Sequence, residues 1–290
     1  MGDVRSDIRE FLSSRRARIT PEQAGLPVYG GNRRVAGLRR EEVAMLTGVS
    51  VDYYVRLERG NLAGASESVL DALANTLNLD EAERQYLFDL ARASGPTHRR
   101  APKSKPGPVR ASVLQVLDAM SDAPAWVRNA RHDIIAANRM GRALYSPVFD
   151  DPHRPVNTTR FTYLNPAARE FWRDYDQITR DAAAMLRLEA GRTPHDPDLI
   201  RLIGELSTQS ELFRERWASR DVMFHRSGLK RLHHPVVGDL DLTYESMELP
   251  SEPGLVMNVY TAPAGSPTAD ALRVLASWAA TQEQASALVE

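Results

Sequence analysis

The stretch TGVSVDYYVRLERG, Thr47 to Gly60, has the rhythm of a helix that could read DNA, and it opens with Ser50, Val51, Asp52, Tyr53 and Tyr54, with Arg56 following. These residue types suit a helix laid against a nucleic-acid duplex. A serine at a helix N-terminus offers a hydroxyl and backbone N–H groups to a phosphate, and arginine reads the acceptor edge of guanine. Asp52 could accept from cytosine N4, cap the helix, or pair with Arg56 four residues on. An acid and two tyrosines hold a polyanion poorly, so affinity would come from arginines outside the helix: Arg15, Arg16, Arg18, Arg33, Arg34, Arg39 and Arg40. Taken singly, each of these also reads as part of a solvated face. Glu58 reads as a brace of the fold through a salt bridge, with Arg59 as its partner or as a phosphate contact.

A second set of residues lies further along. Trp126, Trp172, Met185, Phe213, Trp217, Met223 and Tyr244 could wall an apolar pocket, and Asn138, Arg187, His225 or His234 could hold an acid group within it. Each polar member has a structural alternative. Asn138 could cap a helix starting at Arg139, Arg187 could pair with Asp181 or Glu189, and His233 and His234 could be ordinary strand residues ahead of Pro235. Catalytic chemistry has little to stand on. Histidines adjoin acids at His132-Asp133 and His195-Asp196, but no HExxH, P-loop or GxSxG is present, and the chain has no cysteine.

The elements that must position these residues follow from periodicity. Val4, Ile8, Phe11 and Leu12 predict an amphipathic helix over Asp3 to Ile19, and a Gly/Pro-rich loop fills Thr20 to Gly37. Four short helices then follow, Arg39 to Thr47, Val51 to Arg59, Ser66 to Leu77 and Asp80 to Ala93, punctuated by Gly48, Gly60, Ser66 and the Asp80–Glu83 capping pattern. GPTHRRAPKSKPGP, Gly95 to Pro108, has the composition of a linker. Beyond it come a helix over Val109 to Ser121, a hairpin around Asn129 to Asp133, helices over Pro166 to Glu189 and Pro197 to Ser219, three strands, and a final helix over Thr268 to Ala280. In the middle strand Leu240, Leu242 and Tyr244 alternate with Asp239, Asp241, Thr243 and Glu245, which predicts one wet and one packed face.

Composition agrees with two domains: 290 residues and 42 % hydrophobic content are enough for two cores. The net charge of -1 conceals a mildly basic front, with 17 Lys and Arg against 14 Asp and Glu up to Pro106, and 20 against 24 beyond. Absence of cysteine suits a reducing compartment. The opening MGDVRSDIREFL is charged from its third residue and no apolar run reaches spanning length, so a cytoplasmic location and no membrane partner are expected.

The segment EEVAMLTGVSVDYYVRLERG closely resembles the Xre/Cro regulators, through Ala44, Gly48, Val49, Ser50, Leu57, Glu58, Arg59 and Gly60. The loop NRRVAGLRR ahead of it, with APAWVRNARHDIIAANRMGRALY, GLKRLHHPVVGDLDLTYESMEL and VYTAPAGSPTADALRVLA beyond the linker, resembles the MmyB-like branch of that family, and the likeness covers nearly the whole chain. The resemblance implies an all-α helix-turn-helix domain of five helices over residues 1–94, a linker over 95–108, and an α+β PAS-like domain with an antiparallel sheet over 109–290. It implies DNA contacts by Ser50, Val51, Asp52, Tyr53 and Arg56, and in a domain of this fold Arg33, Arg34, Arg39 and Arg40, with Arg59 where it does not pair with Glu58, are read as the phosphate contacts. It further implies a one-component regulator, read as a repressor, acting as a homodimer on a pseudo-palindromic operator. A small hydrophobic ligand, a fatty acid by the family's association, would control it. No resident cofactor or metal is expected. The alternatives are a haem or flavin sensor and an interaction module that no longer binds DNA.

Overall fold

The computed structural model describes residues 4–27, 35–95 and 109–287, so Arg33, Arg34 and nearly all of the expected linker lie outside the described residues. The chain divides into two compact units, each assembled from separate stretches of sequence. The first takes Met1–Lys103, Arg187–Ile200 and Trp217–Phe224, and the second Ser104–Leu186, Arg201–Arg216 and His225–Glu290.

In the first unit α1 (Val4–Arg18) buries Ile8, Phe11 and Leu12 on one face, as their spacing requires. α2 (Arg40–Thr47) ends at Gly48, whose φ of 74° is the left-handed C-cap a residue without Cβ adopts freely. α3 (Val51–Glu58) starts at Ser50, whose hydroxyl accepts from the Tyr53 N–H. Ser66 caps α4 (Glu67–Thr76), and Asp80 with Glu83 forms a capping box on α5 (Glu81–Ala93). Each helix end falls within one residue of its periodicity-based expectation. Leu38, Val43, Tyr54, Leu57, Leu73, Leu87 and Leu90 make the core, joined by Leu188 and Val222 from the later stretches. Each fully buried leucine contributes about 2 kcal/mol.

The second unit opens with α6 (Ala111–Ala119) and the expected hairpin of β1 (Ala125–Arg128) and β2 (Ile134–Ala137). Its turn is held by buried polar groups: Asn129 and Asn157 both donate amide N–H to Asp133, at 2.8 Å each. Three short helices, α7 (Arg139–Leu144), α8 (Ser146–Phe149) and α9 (Thr158–Leu164), occupy a stretch with no clear periodicity. The first is capped by Asn138, which accepts from the Gly141 N–H at 2.7 Å. Two helices expected to be continuous are broken. Trp172 adopts an extended conformation and bridges to Leu232, separating α10 (Ala168–Phe171) from α11 (Tyr175–Arg192). Ser210 accepts from the Phe213 N–H, a new N-cap dividing α12 (Pro197–Gln209) from α13 (Glu211–Ala218).

β3 (Ser227–His234), β4 (Gly238–Glu248) and β5 (Val256–Thr261) complete a five-stranded antiparallel sheet of order β2-β1-β5-β4-β3, and α14 (Pro267–Ala287) follows. This is the α+β architecture expected. Leu240, Leu242 and Tyr244 are buried while Asp239, Asp241, Thr243 and Glu245 are exposed, so the alternation in β4 reads the packed face correctly.

Candidate nucleic-acid face and ligand cavity

Tyr54 and Leu57 are buried and seat α3, which leaves Val51, Asp52 and Arg56 exposed on its other side, with Tyr53 partly covered and Arg59 exposed just beyond the C-terminus. The Arg56 guanidinium lies over the Tyr53 ring at 4.7 Å, which pre-orients it without consuming its donors. Ser50, not Asp52, is the side-chain cap, and Asp52 stands in the first turn, where the helix dipole favours an acid. The acid and the tyrosines therefore shape α3 and orient its arginine.

The flanking arginines are less available than their number suggests. Glu58, only 1 % exposed, accepts from Arg16 Nε at 2.7 Å and also pairs with Arg40. It is the expected brace, but its partners come from α1 and α2 rather than from Arg59. Arg15 is buried against Glu83 at 2.7 Å and over the Phe11 ring, and Arg18 pairs with Asp221 at 2.6 Å. The expectation that Arg15, Arg16 and Arg18 present a phosphate-binding face is thus corrected, because buried or half-buried carboxylates already hold them. Arg39 is exposed beside Glu41, at 3.5 Å. Replacing Glu58 by glutamine leaves Arg16 without a counter-charge, and a loss of about 2 kcal/mol is expected in guanidinium denaturation followed by circular dichroism.

In the second unit a cavity of about 60 Å³ lies between the sheet and the helices packed on it. Residues two apart on a strand share a face. Trp126 and Arg128 of β1 therefore point the same way as Asn258 and Tyr260 of β5, Trp126 standing opposite Asn258 in the ladder. Lys230 of β3 completes the floor. α9 adds Thr158, Thr159 and Thr162, α11 adds Ile178, Asp181, Ala182 and Met185, and Tyr145, Trp172, His132 and His225 close the sides.

The polar groups here divide sharply. Burial, with Arg128 nearby, holds the His132 pKa well below the usual histidine range, and His132 Nδ1 lies 2.6 Å from Thr159 Oγ1. Burial, then the charges of Lys230 and Arg128, does the same to His225, which stacks on Tyr244 at 4.1 Å and lies 3.0 Å from Ser246 Oγ. Both imidazoles are therefore neutral near pH 7. Asp181 accepts from Gln177 at 2.7 Å, and burial raises its pKa. The cations are Arg128 and Lys230, both buried.

Of the residues expected to bind a ligand, Trp126, Trp172, Met185 and His225 line this cavity, and the others do not. Asn138 is the α7 cap and also donates to the Met120 and Ala123 carbonyls at 2.7 and 2.8 Å, so its amide is fully used in the fold. His234 Nε2 donates to the Ala143 carbonyl at 2.9 Å and Nδ1 accepts from the Val236 N–H, a structural role. Phe213 packs edge-on to Tyr163 at 5.0 Å, and Tyr244 lies behind His225. Arg187, expected to hold an acid group, belongs to the first unit: it lies 3.9 Å over the Trp217 ring and donates to the Trp217 carbonyl and to Tyr86. Trp217 and Met223 belong to that unit as well. Arg128, His132, Lys230 and Asn258 were not anticipated. Lys230 alone carried a signal, since it has the strand parity of Leu232 and His234, both fully buried.

A helix-turn-helix unit with an exposed second helix, together with an α+β unit enclosing an aromatic cavity, defines a transcription regulator with separate DNA-binding and ligand-binding parts. Residues 109–275 match the family model of the MmyB-like transcription regulator ligand binding domain, and residues 14–87 match that of a helix-turn-helix domain. The chain belongs to the MmyB-like family of transcription regulators. No curated protein is similar enough to serve as a relative. Both domains are those of regulators and not of enzymes. Among the described residues no helix is long and apolar enough to cross a membrane.

Proposed function

We propose that the protein is a repressor that binds a pseudo-palindromic operator as a homodimer and is controlled by a small hydrophobic ligand, of the fatty-acid class or a related acid, in the second unit. The observation that carries this reading is the α3 face, where Arg56 is exposed and oriented by Tyr53 while Glu58 and its two arginines hold the helix from behind. With few unpaired cations on this face among the described residues, two copies about one helical turn apart would supply the phosphate contacts. The cavity is read as serving a free metabolite with no resident cofactor, and a colourless purified protein is the expected result.

α11 is the proposed carrier of the ligand signal. It brings Asp181, Ala182 and Met185 to the cavity, and two residues later Arg187 and Leu188 are buried in the first unit. A ligand shifts an equilibrium only through its differential affinity for two arrangements, and a helix common to both units can differ between them. The test is a gel shift on DNA flanking the protein's own coding region, at two salt concentrations and with added fatty acids. A salt-sensitive, sequence-specific shift that the acid alters is expected, and a shift that random DNA abolishes equally well would sink the reading. Arg56→Ala is expected to weaken specific binding about tenfold or more, on the scale of one base contact.

A further inference from the structure

α6 is a surface helix with almost no charge on its surface. Its one buried side chain is Leu117, packed with Ala125 and Val127 of β1 and Met257 of β5. Val127 and Met257 alternate with Trp126 and Asn258, so α6 covers the face of the sheet turned away from the cavity. Ala111, Ser112, Leu114, Gln115, Val116 and Ala119 are all exposed, and Asp118 is the only charged residue of the helix. Leu114 is 40 % exposed and Val116 48 %. A surface helix that meets only water sets charged and polar residues opposite its buried stripe, whereas an exposed apolar, nearly uncharged face marks an interaction site.

The two ends of the helix say what the partner is. Arg110 at the N-cap and Asp118 in the last turn are each four residues from Leu114, so both lie on its side of the helix. Both are exposed, and neither side chain has a partner among the described residues. In an antiparallel pair whose two-fold axis passes beside Leu114, each Arg110 lies opposite Asp118 of the second copy, and Leu114 meets its own counterpart. That reciprocity is what an isologous contact requires. Ala111, three residues before Leu114, is small enough to let the two helices approach closely.

The size of the contact sets its strength. Nine residues of helix span about 14 Å, which falls short of the ~800 Å² per partner of a stable complex. Self-association in the micromolar range follows, and two adjacent half-sites on DNA complete the dimer by raising the effective concentration.

We propose that the Leu114 side of α6 is the dimer contact of this chain, two copies packing antiparallel about Leu114 with an Arg110–Asp118 pair at each end. The inference rests on the homodimer reading above and assigns it a face.

The chain has no cysteine, so a single introduced thiol reports the contact. Leu114→Cys in the full-length protein is expected to form an intermolecular disulfide under copper-phenanthroline oxidation, read on a non-reducing gel, because the bond needs Cα atoms within about 7 Å. Val274→Cys, at a 59 % exposed position of α14 on the opposite face of the sheet, is expected to stay unlinked. In analytical ultracentrifugation Arg110→Glu and Asp118→Arg, each of which sets like charges opposite one another at both ends, are expected to weaken self-association about tenfold. The double variant is expected to regain most of it, and thermal melts confirm that all variants are folded. A dimeric wild type overturns this face but leaves the homodimer reading intact if Leu114→Cys fails to link, if Val274→Cys links as fast, or if the charge reversals change nothing. A wild type that stays monomeric both alone and on operator DNA overturns both.

Discussion

Gly60→Ala is expected to unfold the helix-turn-helix unit. Gly60 has a φ of 96°, where an L side chain is strained, and a Cβ built there would lie 2.3 Å from the Arg5 carbonyl oxygen and 2.7 Å from the Arg5 Cα. Both atoms are backbone of α1, so relief requires moving a helix whose Ile8, Phe11 and Leu12 are fully buried. The backbone term alone is about 1–3 kcal/mol, and displacing α1 should bring the total above about 4 kcal/mol, an unusually large effect for one methyl group. Circular dichroism melts and loss of the DNA shift are the readouts, and a melting temperature close to that of the wild type would refute the argument. Gly48→Ala is the control: it shares a positive φ of 74° but meets nothing within 4 Å, so only the smaller backbone penalty should appear.

Lys230→Met is expected to stabilise the unliganded protein by about 3 kcal/mol at pH 7. Burial lowers the Lys230 pKa from 10.5 to about 8, and each tenfold loss of proton affinity corresponds to about 1.4 kcal/mol. The sign follows from proton counting. Between pH 8 and 10.5 the unfolded chain holds a proton on this lysine that the folded chain has released, so wild-type stability from this group rises with pH across that window. The advantage of methionine is therefore full below about pH 8 and fades as the pH approaches 10.5. Guanidinium denaturation of both proteins at pH 7 and pH 10 measures it, and a Lys230→Met protein less stable than wild type at pH 7 would show that the ammonium is satisfied.

The helices of the first unit were legible because each boundary has a local cause: glycine at φ 74°, the Ser50 and Ser66 caps, the Asp80–Glu83 box. The faces were legible too, since a period of 3.6 or 2 decides which residues are buried once an element packs at all. The arginines were not. Arg15 and Arg39 look alike as sequence, yet one is buried against Glu83 and the other exposed. Nor does any local pattern reveal that Leu188 and Val222 join the core of the first unit, because apolar residues on a helix or loop do not specify their partner.

The cavity shows the same limit. Trp126, Trp172, Met185 and His225 could be guessed as lining because aromatic and apolar side chains are the common material of pockets. Asn138, Arg187 and His234 were guessed from residue type and spend their hydrogen bonds or stacking on the fold itself. From sequence alone came the helices of the first unit and the packed face of the sheet, consequences of short-range periodicity and capping, while the recognition helix and the two kinds of domain came from the resemblance to a known family. Only the tertiary structure decided which charges are free. Whether Glu58 meets Arg59 or Arg16, and whether Lys230 meets a carboxylate or an aromatic wall, depends on distances between residues far apart in the chain, and strand parity with Leu232 turns Lys230 inward whatever its own solubility prefers.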